Sequence, residues 1–174
     1  LLSRDNLDET FIWPDGKSVR FRGFTLTFEQ GIQPLNREAL VADISPAVGA
    51  IPGVQVEKVD EGVRLTISDL QFKADSDQLL DGEAARLDVV AASLKKIPER
   101  TFLVEGHTAA VGSRAGEQEL SAARARRIVD ELTSRGIGAE RFIYKGWGSA
   151  RPAGDNDTEE GRKMNRRVEI TIIE

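Results

Sequence analysis

Apolar and polar residues alternate on both sides of Asp60-Glu61-Gly62. The alternating residues, 54–59 and 63–67, predict the two strands of a β-hairpin. Later in the chain, apolar residues recur at the i, i+3, i+4, i+7 spacing of an amphipathic helix. This spacing predicts one helix capped by Asp81 and ended by Pro98, and a second from about residue 117 to residue 134. The positions expected to be buried are Leu87, Val90, Ala91 and Leu94 in the first helix and Ala125, Ile128, Val129 and Leu132 in the second.

Short apolar segments outside these helices predict three more strands, at residues 102–105, 141–145 and 167–173. Residues 106–116 are expected to form a surface loop that leads into the second helix, and a polar loop with glycine, proline and aspartate joins the last two strands. The order of elements is then β-α-β-α-β-β. This order predicts an α/β sandwich in which two helices pack on one face of a mixed sheet.

A small β-rich segment is expected before these elements. Apolar residues alternate from Val19 to Phe28, with a change of phase at Gly23, where a β-bulge costs little. Before them, Trp13-Pro14-Asp15-Gly16 has the composition of a tight turn. The two features together predict a hairpin.

The hairpin is followed by helix signals and then by a break. Asn36 is expected to cap a short helix over residues 37–44, and Ser45-Pro46 to start another. An Ile-Pro-Gly sequence then interrupts the chain. This break predicts a boundary between an N-terminal segment, 1–53, and a domain, 54–174, although the two parts can still share a core.

The amino-acid composition excludes several kinds of site. The chain has no cysteine and one histidine, His107, so disulfides, thiolate metal sites and an ordinary zinc site are excluded, and we expect no metal or cofactor. The 24 basic and 29 acidic side chains give a net charge of -5. An acidic chain without a basic tract lacks the positive face that nucleic-acid binding requires.

Membrane insertion is not expected for this sequence. No apolar run approaches the roughly 20 residues that a membrane-spanning helix requires. Leu1 is not followed by the charged and apolar regions of a signal peptide. Leu1 is therefore expected to be a mature start or an excision point.

The sequence contains few residues that could form a catalytic site. His107, with Ser113 and Ser121 nearby in sequence, can be drawn as part of a hydrolase triad. No nucleophile elbow accompanies them, so a strand-end histidine bonded to the adjacent loop is the preferred interpretation and a hydrolase is the remote alternative. Residues 155–166 lack the glycine and the final glutamate of an EF-hand, so we expect a solvated acidic loop there.

Anion binding remains as a candidate chemistry. The loop at 106–116 opens onto a helix N-terminus, where free N–H groups and the helix dipole favour an anion. Arg124 lies two turns into this helix, beside its predicted buried face, and a guanidinium matches the geometry of a carboxylate. Alternatively, Arg124 is a flanking arginine paired with a neighbouring acid.

Several motifs follow one another along residues 54–174: Val104-Glu105-Gly106-His107-Thr108, Leu120-Ser121-Ala122-Ala123-Arg124-Ala125, Gly146-Trp147-Gly148 and Asn165-Arg166-Arg167-Val168-Glu169-Ile170. In this order they resemble the OmpA-like C-terminal domain. The resemblance implies a non-catalytic periplasmic module that grips the diamino acid of the peptidoglycan stem peptide. It does not extend to residues 1–53, which stay unidentified.

The resemblance also implies a ligand pocket, with two departures from the family pattern. The family has an aspartate directly after Gly-His-Thr, an arginine in Leu-Ser-x-x-Arg-Ala and a further arginine near the last strand. Both arginines are present here, but the aspartate and a common asparagine are replaced. The implied pocket residues are His107, Thr108, Ala109 in place of the aspartate, Glu117 in place of the asparagine, Arg124 and Arg166.

The diamino acid that the resemblance implies is meso-diaminopimelate, whose side chain ends in an ammonium and a carboxylate. The methyl group of Ala109 cannot balance the charge of this ammonium. We therefore expect a structural or interaction module of the cell envelope, in which binding of the peptidoglycan stem peptide is weakened or lost, with other envelope proteins as further candidate partners. The alternative is a functional peptidoglycan anchor that uses Arg124, Arg166 and Glu117. Both hypotheses imply a periplasmic protein associated with the outer membrane or the cell wall.

Overall fold

The computed structural model describes residues 8–22, 35–97 and 99–174. These residues form seven strands and four α-helices. The strands are β1 (Asp8–Ile12), β2 (Ser18–Arg22), β3 (Val54–Val59), β4 (Gly62–Ser68), β5 (Phe102–Gly106), β6 (Phe142–Gly146) and β7 (Arg167–Ile173). The helices are α1 (Arg37–Val48), α2 (Ala84–Lys95), α3 (Arg114–Ser134) and α4 (Glu159–Asn165).

One mixed sheet contains all seven strands, in the order β2-β1-β6-β5-β7-β4-β3. Strands β5 and β6 are parallel, because α3 carries the chain back between them. The other neighbouring strands pair antiparallel, and β1 joins β6 through the single pair Ile12 and Tyr144. This is the α/β sandwich predicted from the order of elements.

The core lies between the sheet and helices α1, α2 and α3. Alternate residues of the central strands face it, and Val104 of β5 pairs with Tyr144 of β6 and Ile170 of β7. All eight helix positions predicted to be buried belong to the same cluster. The helical spacing of apolar residues therefore identified the inner faces of α2 and α3 correctly.

Helix α3 packs closely against the ends of β5 and β6. A Cβ atom on Gly106 would lie 2.2 Å from the carbonyl oxygen of Ser121, and one on Gly146 would lie 2.3 Å from the backbone nitrogen of Ala122. No larger residue fits at either strand end. This close approach fixes the position of α3, and thus of its side chains, relative to the loops that leave the strands.

The N-terminal residues contribute a hairpin and a helix. Strands β1 and β2 are joined by the predicted turn, in which Gly16 has φ +87° and donates its N–H to the carbonyl oxygen of Trp13 at 2.9 Å. The predicted alternation between residues 23 and 28 lies outside the described residues. Helix α1 begins as predicted, since the Asn36 side chain accepts a hydrogen bond from the N–H of Ala39 at 3.0 Å.

The prediction of two helices between residues 37 and 48 is wrong. A single helix runs through Pro46, which lies in its last turn. Ile44 and Val48 of this helix lie in the same core cluster as the residues of the sheet. The boundary after residue 53 stays a prediction.

Two helix starts differ from the predictions, and one short helix was not predicted. Asp81 begins a 3-10 turn, and α2 starts only at Ala84, without a side-chain cap. Helix α3 starts at Arg114 instead of near Glu117, because Ser113 caps it through the N–H of Gly116. The acidic loop expected after β6 contains the short helix α4, which Thr158 caps through the N–H of Gly161. Both serine and threonine are favoured N-cap residues, so this signal was present in the sequence.

Candidate functional site

A cavity of about 670 Å³ lies beside the first turns of α3. Its walls come from the β4–α2 loop, the loop after β5, helix α3 and the residue that precedes β7. Five of the six predicted pocket residues line it, namely Thr108, Ala109, Glu117, Arg124 and Arg166. The sixth, His107, lies behind this wall next to a much smaller void.

Arg124 projects from α3 and lines the cavity. Its Nε donates a hydrogen bond to the carbonyl oxygen of Ser76 at 3.1 Å, and its guanidinium carbon lies 4.7 Å from the centre of the Phe72 ring. Burial lowers the pKa of Arg124, and the charge of Asp75 partly opposes this change. In the described part of the chain, no carboxylate oxygen lies within 4.0 Å of this guanidinium.

Arg166 provides a second cation at the cavity wall. Its Nη2 lies 2.8 Å from a carboxylate oxygen of Glu159 and 3.6 Å from one of Asp69. These contacts connect the end of α4 to the start of the β4–α2 loop. The charge of Arg166 is therefore already balanced by two acids, whereas that of Arg124 is not.

Glu117 is buried, and both of its carboxylate oxygens accept hydrogen bonds. Oε1 accepts the backbone N–H groups of Val111 and Gly112, each at 2.9 Å, and Oε2 accepts the hydroxyl of Ser149. The Ser149 hydroxyl, followed by the Gly112 N–H, lowers the pKa of Glu117. This carboxylate closes the loop that precedes α3.

Thr108 and Ala109 form the wall contributed by the loop after β5. The N–H of Thr108 donates to the carbonyl oxygen of Gly148 at 2.9 Å, which holds this loop against the loop after β6. The Thr108 hydroxyl oxygen is buried without a hydrogen-bond partner. Ala109 is 2% exposed and presents a methyl group where the family pattern has a carboxylate.

His107 is buried behind the cavity, at the end of β5. Its Nε2 lies 3.7 Å from a carboxylate oxygen of Glu169, and neither ring nitrogen has a hydrogen-bond partner. Burial lowers the pKa of His107, so the neutral imidazole is favoured. The strand-end position agrees with the preferred interpretation, although the ring itself does not bond the adjacent loop.

Neither candidate serine forms a hydrogen bond with the His107 ring. The Ser121 hydroxyl donates to the carbonyl oxygen of Gln118 at 2.9 Å and accepts the N–H of Gly148 at 2.8 Å. Ser113 is the N-cap of α3. The arrangement of nucleophile and base that a hydrolase requires is thus not formed.

Two acids of the cavity were not identified as site residues from the sequence. Asp75 and Asp77 lie in the β4–α2 loop and line the cavity wall near Arg124. The sequence carried a weak signal, since the two aspartates flank a serine in a short polar loop. Only the fold brings this loop to α3.

The described ranges 8–22, 35–97 and 99–174 contain neither a candidate metal site nor a candidate membrane-spanning helix. No group of three histidine, aspartate or glutamate side chains there can hold a metal ion. No helix in those ranges is both long enough and apolar enough to cross a membrane.

A sandwich with a cavity of this kind and a half-buried arginine in its wall is typical of a binding module. The OmpA family model matches residues 71–166, and the chain belongs to the OmpA family. Among its relatives are porins, lipoproteins and cell-wall anchors of the bacterial envelope, which confirms the predicted family and the non-catalytic class.

Two relatives illustrate the range of the family. Outer membrane porin F of Pseudomonas aeruginosa is 37% identical over 115 residues, which cover 66% of this chain and 33% of the porin. The peptidoglycan-binding protein ArfA of Mycobacterium tuberculosis is 31% identical over 163 residues, which cover 94% of this chain and 45% of ArfA. The chain thus spans a third to a half of the length of these relatives.

Solved structures share the fold. The cell wall anchor of the type VI secretion system (T6SS) from Pseudomonas aeruginosa superimposes with a TM-score of 0.66 at 29% identity, covering 79% of this chain and 99% of that one. The periplasmic domain of Helicobacter pylori MotB gives a TM-score of 0.65 at 28% identity, covering 73% and 83%. These matches confirm the OmpA-like sandwich.

Proposed function

We propose that this chain is a periplasmic module that contacts peptidoglycan through the cavity beside α3, with weakened affinity for the diamino acid of the stem peptide. The observation that carries this proposal is the state of Arg124. Arg124 lines the cavity and is half-buried, and its guanidinium has no carboxylate oxygen within 4.0 Å in the described part of the chain. A cation in this state suits the carboxylate of a ligand.

The weakened affinity follows from Ala109. A diaminopimelate end carries an ammonium beside its carboxylate, and the family's aspartate would balance it. Removing one partner of a buried charge pair costs about 2–5 kcal/mol, or about 30- to 4,000-fold in affinity. The methyl group of Ala109 neither accepts a hydrogen bond nor carries a charge, so this contribution is lost.

Glu117 is a poor replacement for the missing aspartate. Its carboxylate already accepts hydrogen bonds from Val111, Gly112 and Ser149, and a ligand ammonium would have to displace them. This disfavours the alternative of a full-strength anchor that uses Glu117 as its anion. We propose instead that Glu117 stabilises the loop that precedes α3.

The relatives support an envelope setting for this proposal. One is named as a peptidoglycan-binding protein, and another structure is described as a cell wall anchor. We place this chain in the periplasm, associated with the outer membrane or the cell wall. Other envelope proteins are the partners expected if the cavity does not bind peptidoglycan.

Pelleting with purified sacculi tests the proposal. Wild type is expected to co-sediment weakly, Ala109→Asp more strongly, and Arg124→Gln not at all. Arg126→Gln is the matched control, because Arg126 is an exposed arginine of the same helix outside the cavity. If wild type pellets as tightly as Ala109→Asp, affinity is not weakened. If none of the variants pellets, the cavity is not a peptidoglycan site and a role with other envelope proteins gains support.

A further inference from the structure

We infer that Glu159 is a specificity-determining residue of the cavity, because it occupies the guanidinium of Arg166 and leaves Arg124 to bind a ligand carboxylate. The inference rests on the proposed function and deepens it, since it states which of the two arginines takes part in binding. Glu159 belongs to α4 and does not itself line the cavity. Its effect on a ligand is therefore exerted through Arg166.

Two arginine side chains line this cavity from different elements. Arg124 comes from α3, and Arg166 from the residue between α4 and β7. Burial lowers the pKa of Arg124, and the charge of Arg166 lowers it further. The two guanidinium groups are thus close enough to repel each other. An acid that balances one of them reduces this repulsion.

Glu159 provides this counter-ion, and both of its carboxylate oxygens are used. Oε1 accepts a hydrogen bond from Nη2 of Arg166 at 2.8 Å, and Oε2 accepts one from Nε of Arg162 at 3.0 Å. These arginines follow Glu159 by three and seven residues, the spacing of one helix face. The hydrogen bond from Arg166, followed by that from Arg162, lowers the pKa of Glu159. Glu159 therefore stays charged at neutral pH.

The turn that carries Arg166 is held on both sides. Asn165, the residue before it, is fully buried, and its Oδ1 accepts the N–H groups of Ala153 and Gly154 at 2.7 and 2.8 Å. The carbonyl oxygen of Arg166 accepts the N–H of Asp69 at 2.8 Å. Because its backbone is fixed, the Arg166 side chain extends toward Glu159 from a defined position.

A ligand carboxylate has to compete with Glu159 for Arg166. Both present the same acceptor group to the same guanidinium, and the chain keeps Glu159 at a high local concentration. Arg124 faces no such competitor, since no carboxylate oxygen lies within 4.0 Å of its guanidinium among the residues that the structure describes. A ligand carboxylate is therefore bound through Arg124, and Arg166 contributes little to affinity.

The expected effect of Glu159 on affinity is modest. The side chains of Glu159 and Arg166 are 49% and 33% exposed, so water and salt screen their interaction. A partly exposed ion pair of this kind changes an equilibrium by about 1.5- to 5-fold. The measurement must therefore resolve a small change in affinity and show that it depends on both residues.

Nuclear magnetic resonance titration with meso-diaminopimelate as the probe tests the inference. Glu159→Gln removes the competing charge and keeps the shape of the side chain. Glu160→Gln is the matched control, because Glu160 is the next residue of the same helix, is exposed, and has no ion pair in the described part of the chain. Arg166→Gln is measured alone and together with Glu159→Gln. Urea unfolding verifies that each variant is folded.

At low salt, Glu159→Gln should bind the probe about 1.5- to 5-fold more tightly than wild type and the control. The gain should disappear in about 0.5 M sodium chloride. Arg166→Gln should change the affinity of wild type by less than about 2-fold, yet remove the gain in the double variant. The inference is overturned if the control gains as much as Glu159→Gln, or if the gain persists without Arg166.

The proposed function and this inference fail in different ways. Pelleting with sacculi decides the proposed function, and the titration decides the role of Glu159. If no protein pellets and none binds the probe, both are wrong. If the probe is bound through Arg124 but Glu159→Gln has the affinity of wild type, only the role of Glu159 is wrong.

Discussion

Replacing Glu117 by glutamine distinguishes between two possible roles of this residue, which are stabilising the loop before α3 and binding the ammonium of a ligand. If Glu117 holds the loop before α3, then Glu117→Gln should lower the stability of the fold and leave ligand binding almost unchanged. If Glu117 is instead the anion that binds a ligand ammonium, the substitution should lower affinity and leave stability unchanged. The side chain has nearly the same shape, so the comparison isolates the charge.

The size of the stability loss follows from the hydrogen bonds. The carboxylate accepts two backbone N–H groups and one hydroxyl. A hydrogen bond to a charged group contributes about 1.5–3 kcal/mol and one between neutral groups about 0.5–1.5 kcal/mol. Glutamine can keep neutral versions of these bonds, and Val111 and Gly112 are exposed to water. We expect a net loss of about 1–3 kcal/mol, or a melting temperature lower by about 2–12 °C.

Urea unfolding followed by circular dichroism measures this difference, and hydrogen exchange locates it. The amides of Val111 and Gly112 should exchange faster in the variant, whereas amides of the central strands should lose only the global difference. The pH dependence gives a second readout. Because the folded-state pKa of Glu117 is lowered, its contribution is present above its usual pKa of 4.5 and lost as pH falls below it. The gap between wild type and variant should close in acid.

Unchanged stability together with a loss of sacculus binding would refute this reasoning. Glu117 would then be a ligand-binding anion whose hydrogen bonds within the loop contribute little. Ser149→Ala serves as a comparison, since it removes one of the three bonds and keeps the charge. It should reproduce part of the stability loss without changing affinity.

Two further predictions concern the framework of the site. Gly146→Ala should destabilise the fold by at least about 2 kcal/mol, because the new Cβ would lie 2.3 Å from the backbone of α3. The control is Gly82→Ala, where a Cβ would have no atom within 4 Å. Its free energy of unfolding in urea should stay within about 0.5 kcal/mol of that of wild type. Burial lowers the pKa of His107, so as the pH falls the histidine of the unfolded chain is protonated before that of the folded chain. The urea concentration at half-unfolding should therefore decrease as the pH is lowered from 7 to about 5. The His107→Asn variant should show a weaker pH dependence, and a pH profile identical to that of wild type would contradict this prediction.

Local patterns predicted much of the framework. The spacing of apolar residues marked the inner faces of α2 and α3, because burial on one side of a helix imposes a period of 3.6 residues. Alternation marked β3 and β4, and Asn36 marked the start of α1. The starts of α2 and α3 were misplaced, since several residues in each region have the composition of a cap and the local sequence does not choose among them, and α4 was taken for a loop.

The candidate site was predicted in part. Arg124 was identified because its place on the flank of a helix follows from the helical period, and Ala109 because it replaces a family residue. The sequence did not show that Asp75 and Asp77 lie beside Arg124, or that Glu117 is held by Ser149. These neighbours are separated along the chain by 48 residues for Arg124 and Ser76, and by 32 for Glu117 and Ser149.

The sequence by itself thus determined which residues face the core, which elements they form and which family the domain resembles, because burial and capping act over a few residues. Only the tertiary structure decided which charges meet in the cavity. The packing of α3 on the glycine ends of β5 and β6 sets Arg124 against the β4–α2 loop and Glu117 against the loop after β6. Contacts between segments that are distant along the chain depend on how the helices pack on the sheet, and a pattern of a few residues does not specify this packing.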